Sequence, residues 1–280
     1  MKPAIHIITP ETGALPRKYV IDLLASHWRA WGHQVTSGLL PSLDSGIGLV
    51  HINRTVINPA HLPAVSARTP LLNGKVLDIS KNSFSTLQLA PDDRWDYPVI
   101  VKSNLNFFGN PERAEIFAGT LGTLDRAVSR LLSAHWQLAR RLPHNDYPIL
   151  PSIANVPGWV WKRDDLIVER FLPERVGDFY SIRGWLFFGQ RGYAYRLYST
   201  SPVVKAGNIS HFDILDGVPE ELQALRRQYA FDFGKFDYVE IDGKAVLLDI
   251  NKTPTTVALQ DSPRLRDLAE GIQDFMDLGQ

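Results

Sequence analysis

Lys235-Phe236-Asp237-Tyr238-Val239-Glu240-Ile241-Asp242-Gly243-Lys244-Ala245-Val246-Leu247-Leu248-Asp249-Ile250-Asn251 reads as a β-hairpin folded about Asp242-Gly243. Strand-favouring apolar residues fill both arms, yet Asp237 and Asp249 stand among them. A carboxylate buried without a partner is costly, so such positions need a cation or strong donors. Mg²⁺ suits them, because it takes oxygen ligands and commonly uses one or two carboxylates plus substrate phosphates. Register decides whether the acids meet. A two-residue turn pairs Ile241 with Lys244 and sends Asp237 and Asp249 to opposite faces. A three-residue loop with Gly243 left-handed makes the count odd and turns Lys235, Asp237, Asp249 and Asn251 to one face. Asp-Gly tolerates both, and the metal chemistry selects the odd loop. The plainer reading is an edge hairpin with solvated Asp side chains.

Outward from the hairpin, residues 4–8 read as a buried strand, Pro16 to Trp31 as a helix, Ile47 to Ile52 as a second strand and Pro59 to Val65 as a short helix. This order predicts a small parallel α/β unit over residues 1–75. Tyr97-Pro98-Val99-Ile100-Val101-Lys102 reads as a strand ending in a lysine. Pro111 opens a helix, and Leu124, Val128, Leu131, Leu132 and Leu138 mark a longer amphipathic one. Asp165 to Leu172 reads as a strand, residues 180–200 as antiparallel strands, and Leu265 to Leu278 as a final helix. An α+β module over residues 75–280 is the expectation.

The chain has 280 residues with 44% hydrophobic and 21% charged, as a globular enzyme has. Thirty basic side chains balance thirty acidic ones, which argues against a nucleic-acid partner held by phosphate contacts. The lack of cysteine excludes disulfides, zinc–thiolate sites and a thiol nucleophile. The apolar run near the N-terminus is too short for a signal core or membrane span, so a cytoplasmic protein without a membrane partner is expected.

Three further segments carry groups suited to a nucleotide. Lys102 presents an ammonium that can serve phosphate oxygens. Leu166-Ile167-Val168-Glu169-Arg170-Phe171-Leu172 turns from apolar to polar to aromatic. Its strand-end backbone groups can read an adenine edge, with Phe171 and Leu172 as the apolar wall. Asp178 follows, where it can accept ribose hydroxyls. Lys81 lies in Asp78-Ile79-Ser80-Lys81, ahead of the lysine strand. Taken singly, each has a plainer reading: a snorkelling lysine, a core strand, a solvated loop lysine.

Together these segments resemble the ATP-grasp superfamily, and most nearly D-alanine–D-alanine ligases and related carboxylate–amine ligases. The Tyr97–Lys102 strand and Asp78–Lys81 are similar to the segments bearing the family's two ATP lysines. Val168-Glu169-Arg170-Phe171-Leu172 resembles the adenine hinge, with Asp178 at the ribose acid. Phe236-Asp237-Tyr238 and Leu248-Asp249-Ile250-Asn251 resemble the two metal-binding strands. The resemblance covers roughly residues 75–257. It implies a small N-terminal α/β domain (1–75) and an ATP-grasp domain (76–280), whose lid subdomain (about 97–170) and C-terminal subdomain (about 171–280) hold ATP between them. The loop Ser103-Asn104-Leu105-Asn106-Phe107-Phe108-Gly109 departs from the family in its shortage of glycine. Asp249 stands where Glu is commoner, and Lys235 where an Arg often sits.

The resemblance further implies an ATP-dependent ligase that joins a carboxylate to an amine through an acyl phosphate and releases ADP and phosphate. ATP and one or two Mg²⁺ ions are the implied cofactors, with Asp237, Asp249 and Asn251 as metal ligands. Small-molecule or peptide carboxylates and amines are the implied partners, and a homodimer stays open. Lys235, Arg183, Arg196 and Lys205 are the candidates for stabilising the transferred phosphoryl group; for the last three, solvent-facing strand cations are the alternative. Two rivals remain open at this point: a kinase using the same nucleotide site on a hydroxyl, and a nucleotide-binding regulatory protein without turnover.

Overall fold

Ile5-His6-Ile7-Ile8 forms β1 (Ile5–Ile8), buried along its whole length, as a central parallel strand is. The computed structural model describes residues 2–10, 19–110, 112, 128, 130–143, 146–255 and 262–276. Helix α1 (Val20–Ala30) lays Val20, Ile21, Leu24, Ala25 and Trp28 on its buried side, a spacing of three and four residues that makes one apolar stripe. Then come β2 (Val35–Gly38), β3 (Ser42–Leu43), β4 (Ile47–Val50), β5 (Ala64–Val65) and β6 (Leu71–Leu72). Strands β2 and β4 flank β1 in parallel, and β6 runs parallel to β4. The expected helix over Pro59–Val65 is a single 3₁₀ turn, Pro59–His61, followed by β5.

The chain divides into two compact units. Unit 1 comprises Met1–Asn53, Ile57–Leu77 and Glu174–Gln280; unit 2 comprises Arg54–Val56 and Asp78–Pro173. In unit 2, the short helix α2 (Lys81–Phe84) precedes β7 (Val99–Ser103), α3 (Trp136–Ala139), β8 (Ile149–Leu150) and β9 (Leu166–Arg170). Strand β7 is the middle of a three-stranded antiparallel sheet, order β8-β7-β9. Val99, Val101, Val160 and Val168 form its core, backed by Trp95, Trp136, Trp159 and Trp161. The expected helix from Pro111 and most of the one marked from Leu124 lie outside the described residues. Leu131 and Leu138, assigned to the apolar stripe of that helix, are exposed.

The rest of unit 1 holds β10 (Glu174–Val176), β11 (Phe179–Phe188), β12 (Arg191–Ser199), β13 (His211–Leu215), α4 (Glu220–Gln228), β14 (Phe233–Ile241), β15 (Lys244–Asn251) and α5 (Pro263–Glu270). Six strands form one antiparallel sheet, order β13-β12-β11-β14-β15, with β10 on β11. Cross-strand partners share a face and neighbours along a strand alternate, so the register sorts every side chain to one side. Leu186, Phe188 and Phe233 join the core built on Trp28 of α1 and on Leu265 and Leu268 of α5. Trp28 also donates its indole N–H to the Ala269 carbonyl at 2.8 Å. The other face gathers Trp185 and Phe187, each edge-on to Phe236 and tilted against each other. Among the described residues no helix is long and apolar enough to cross a membrane.

Candidate active site

The hairpin β14–β15 does bring the acids together, by a different route from the expected one. Ile241 pairs with Lys244, so the turn has two residues, and both Asp242 (φ 51°) and Gly243 (φ 75°) are left-handed. That is the turn whose twist suits a hairpin. The odd loop is therefore wrong. Parity is restored further along: Tyr238 pairs with Leu247 but Asp237 pairs with Asp249, leaving Leu248 as an extra residue in a β-bulge. Without the bulge, Leu248 would oppose Asp237 and Asp249 would turn to the far side. With it, Asp237 faces Asp249 directly, and Lys235 faces Asn251 in the next same-face pair.

Lys235 Nζ lies 2.8 Å from Asp237 Oδ2. Burial alone would lower the Lys235 pKa, but Asp237, Tyr195 and Asp249 outweigh it and hold the ammonium above the ordinary lysine range. Burial likewise raises the Tyr195 phenol on the same face, so it stays protonated. Two like charges directly opposite each other repel, and the Lys235 ammonium offsets the charge of Asp237. Asp237, Asp249 and Asn251 offer hard oxygen donors, a set that fits Mg²⁺ completed by phosphates. Among the described residues no group of three or more His, Asp or Glu side chains is arranged to hold a metal alone.

Unit 2 carries the lysines. Lys102 does not end its strand, as the sequence suggests; β7 continues through Ser103, and Lys102 is buried. Ile100 pairs with Glu169 and Lys102 with Ile167, so Lys102 and Glu169 are diagonal neighbours on one face. Their ammonium and carboxylate meet at 2.7 Å, with Glu169 wholly buried. Lys81, which reads in the sequence as a loop residue, is also buried at the start of α2. Its backbone N–H donates to the Asn104 carbonyl at 3.1 Å, and Asn82 N–H donates to Asn104 Oδ1 at 3.0 Å, so the Lys81 turn is fastened just past the Lys102 strand.

At the hinge, Arg170 N–H donates to the Leu87 carbonyl and Phe171 N–H to the Pro98 carbonyl, at 2.9 and 3.0 Å. Those two donors are already used. The Leu172 N–H has no backbone acceptor among the described residues. The Arg170 guanidinium lies over the Trp95 ring at 5.0 Å. Asp178 is exposed in the two-residue turn between β10 and β11, next to Gly177 at φ 57°.

Arg183 and Arg196 are not brought to the acidic hairpin face. Arg183 pairs with Tyr238, the neighbour of Asp237, so it and its partner Arg196 lie on the opposite side of the sheet. There Glu174 bridges both guanidiniums, at 3.0 Å to Arg183 and 3.2 Å to Arg196, and Glu240 binds Arg183 as well. Lys205 precedes a 3₁₀ turn, its backbone N–H donating to Asn208 Oδ1 at 2.8 Å. The sequence reading passed over Thr253, Asn53 and Tyr19, which join Asn251 in a hydrogen-bonded chain. Nothing local marks them, since Asn53 and Thr253 are 200 residues apart.

No protein-family model matches the sequence, and no curated protein matches it. Solved structures do. A RimK-domain ATP-grasp protein from Sphaerobacter thermophilus aligns at a TM-score of 0.50 and 14% identity, over 98% of this chain and 99% of that one. The macrocyclase MdnC from Microcystis aeruginosa, solved with its precursor peptide MdnA, aligns at 0.49 and 12%, over 98% and 99%. D-alanine–D-alanine ligase from Bacillus anthracis aligns at 0.44 and 12%, over 99% and 95%. At such identities likeness speaks to architecture and leaves activity open. With a parallel α/β unit, a small antiparallel sheet and a larger one, and an alignment to the first of these over nearly the whole of both chains, the chain has the ATP-grasp fold.

Proposed function

We propose that this protein is an ATP-dependent, ADP-forming ligase that joins a carboxylate to an amine. The observation that carries the reading is the cross-strand pair Asp237–Asp249 with the pair Lys235–Asn251 beside it on one face. Two carboxylates and a carboxamide in register on one face present hard oxygen donors, which Mg²⁺ takes together with nucleotide phosphates. Mg²⁺, as one or two ions, supplies charge neutralisation at the phosphates when bound.

Every other role falls to the chain. Lys235 orients Asp237 and is the cation we assign to the transferred phosphoryl group, with Lys205 as the second candidate. In unit 2, Lys102 and Lys81 bind phosphate oxygens as point charges, and Glu169 holds Lys102 in place. The Leu172 N–H, without a backbone acceptor among the described residues, donates to the adenine edge, Phe171 and Leu172 wall the ring, and Asp178 accepts ribose hydroxyls. The donor carboxylate attacks the γ-phosphorus, the bond to ADP breaks, and an acyl phosphate forms. The amine then attacks the acyl carbon, gives up a proton to solvent and expels phosphate. Such transfer depends on positioning and neutralisation more than on covalent help.

The test is product analysis after incubation with Mg-ATP and paired libraries of carboxylates and amines. ADP and free phosphate should accumulate only when both acceptors are present, with a new amide detected by mass. AMP with pyrophosphate, or a stable phosphorylated acceptor, would remove the reading.

A further inference from the structure

Asn251 is held from behind. Its Oδ1 accepts the Thr253 backbone N–H at 2.8 Å. A backbone N–H can only donate, so this bond fixes which end of the carboxamide is oxygen and uses one of its two lone pairs. The Thr253 hydroxyl lies close to two acceptors, 3.1 Å from Asn53 Oδ1 and 3.4 Å from Asn251 Oδ1. It has one proton to give, and the shorter contact takes it. Asn53 is in turn oriented by donating its Nδ2–H to the Tyr19 phenol at 2.9 Å. Tyr19 and Thr253 are both buried at 2% exposure, so water does not compete for these bonds.

From this geometry we infer that Asn53 is a positioning residue for the metal ligand Asn251: it draws the Thr253 hydroxyl proton to itself and keeps the second lone pair of Asn251 free for a cation. The inference rests on the metal role proposed above for Asn251. It makes the N-terminal α/β segment, through Asn53 and Tyr19, part of the cation site on the hairpin without touching the cation. Removing Asn53 lets the Thr253 hydroxyl swing to Asn251 Oδ1 and compete with the metal. Removing the hydroxyl as well abolishes that competition.

The experiment is a Mn²⁺ titration read by electron paramagnetic resonance, with a non-hydrolysable ATP analogue present and thermal melting as the check on folding. Asn53→Ala should weaken Mn²⁺ binding about tenfold, the scale of losses when a ligand's supporting partner is removed. Thr253→Val should bind as the wild type does, and Asn53→Ala with Thr253→Val should recover the affinity of Thr253→Val alone. This rescue is the signature, because two merely structural losses would add. Wild-type affinity in Asn53→Ala, or no recovery in the double variant, would overturn the inference. Should Asn53→Ala fail to fold, a tenfold loss in Thr253→Val alone would also overturn it. If the wild type binds no Mn²⁺, the metal reading itself falls and this one with it.

Discussion

In unit 2, Lys102 and Glu169 meet at 2.7 Å with side-chain exposures of 11% and 1%; in unit 1, Lys235 and Asp237 meet at 2.8 Å with exposures of 26% and 18%. Distance does not separate them. Pairing geometry does: Glu169 lies diagonal to Lys102 across one strand pair, whereas Lys235 meets Asp237 with Asp249 directly across the hairpin. A closed pair in a dry interior fixes its lysine, so the phosphate assigned to Lys102 meets an ammonium already held in place. Two carboxylates set directly opposite each other on a partly exposed face repel, and a cation held between their oxygens relieves that repulsion. The same pair of side-chain types therefore serves support in one place and recruitment in the other.

Cutting the closed pair should have the largest effect. Lys102→Ala leaves the Glu169 carboxylate buried and uncompensated, a class of change that costs about 3–5 kcal/mol. The melting temperature should fall accordingly, and Lys102→Met with Glu169→Leu should regain most of it, since both charges then leave together. Equal melting of wild type and Lys102→Ala would show that Glu169 finds another partner and that the pair is not closed.

His51 sharpens the contrast, being buried at 1% exposure with no hydrogen-bond partner at Nε2 among the described residues. Burial lowers its pKa from 6.5 to about 3, opposed in part by a backbone hydrogen bond. Between those values the unfolded chain binds a proton that the folded one refuses. Stability contributed by neutral His51 is thus present above pH 6.5 and lost as pH falls towards 3, at about 1.4 kcal/mol per pH unit. From pH 6.5 to pH 5 that is a loss of about 2 kcal/mol. His51→Phe, set against the rings of Tyr19 and Phe233, should flatten this slope in denaturant titrations. An unchanged slope would mean that the imidazole is charged in place.

Gly243→Ala should cost about 1 kcal/mol, because a Cβ at φ 75° meets its own backbone although nothing else crowds the site. In urea titrations of both variants, Asp242→Asn should cost nothing measurable, since Asn tolerates the left-handed region.

The hairpin was legible because Asp-Gly between strand-forming arms is a local signal, and so were the two acids standing among apolar neighbours. The bulge at Leu248 was not legible. A two-residue and a three-residue turn have the same sequence signature, and parity can be corrected anywhere along the arm. Lys102 looked like a strand end because its partner Glu169 belongs to another strand, and diagonal pairing exists only once strand order is known. The Glu174 bridge between Arg183 and Arg196 was hidden for the same reason: it depends on β10, β11 and β12 lying side by side. Side-chain chemistry within a dozen residues could be read, and chemistry set by sheet order could not.

The smallest measurable effect tests the opposed acids most directly. Asp249→Asn removes one of two opposed charges while keeping the side chain's shape and one oxygen acceptor. Like charges across a strand pair are destabilising by about 0.2–1 kcal/mol, so in EDTA the variant should melt slightly above the wild type. Asp237→Asn should not, because it also gives up the ion pair with Lys235, a partly exposed pair worth about 0–1 kcal/mol. Added Mg-ATP should reverse the order. A ligand that binds only the folded state stabilises it in proportion to the logarithm of its saturation, and only the wild type retains both carboxylates to recruit it. Calorimetric melts of the three proteins, with EDTA and with Mg-ATP, give six midpoints to compare. If Asp249→Asn melts below the wild type in EDTA, then Asp249 behaves as Glu169 does and the two pairs are of one kind. If it melts above and Mg-ATP fails to reverse the order, the repulsion between the two acids is real but the cation that relieves it is not that of a nucleotide.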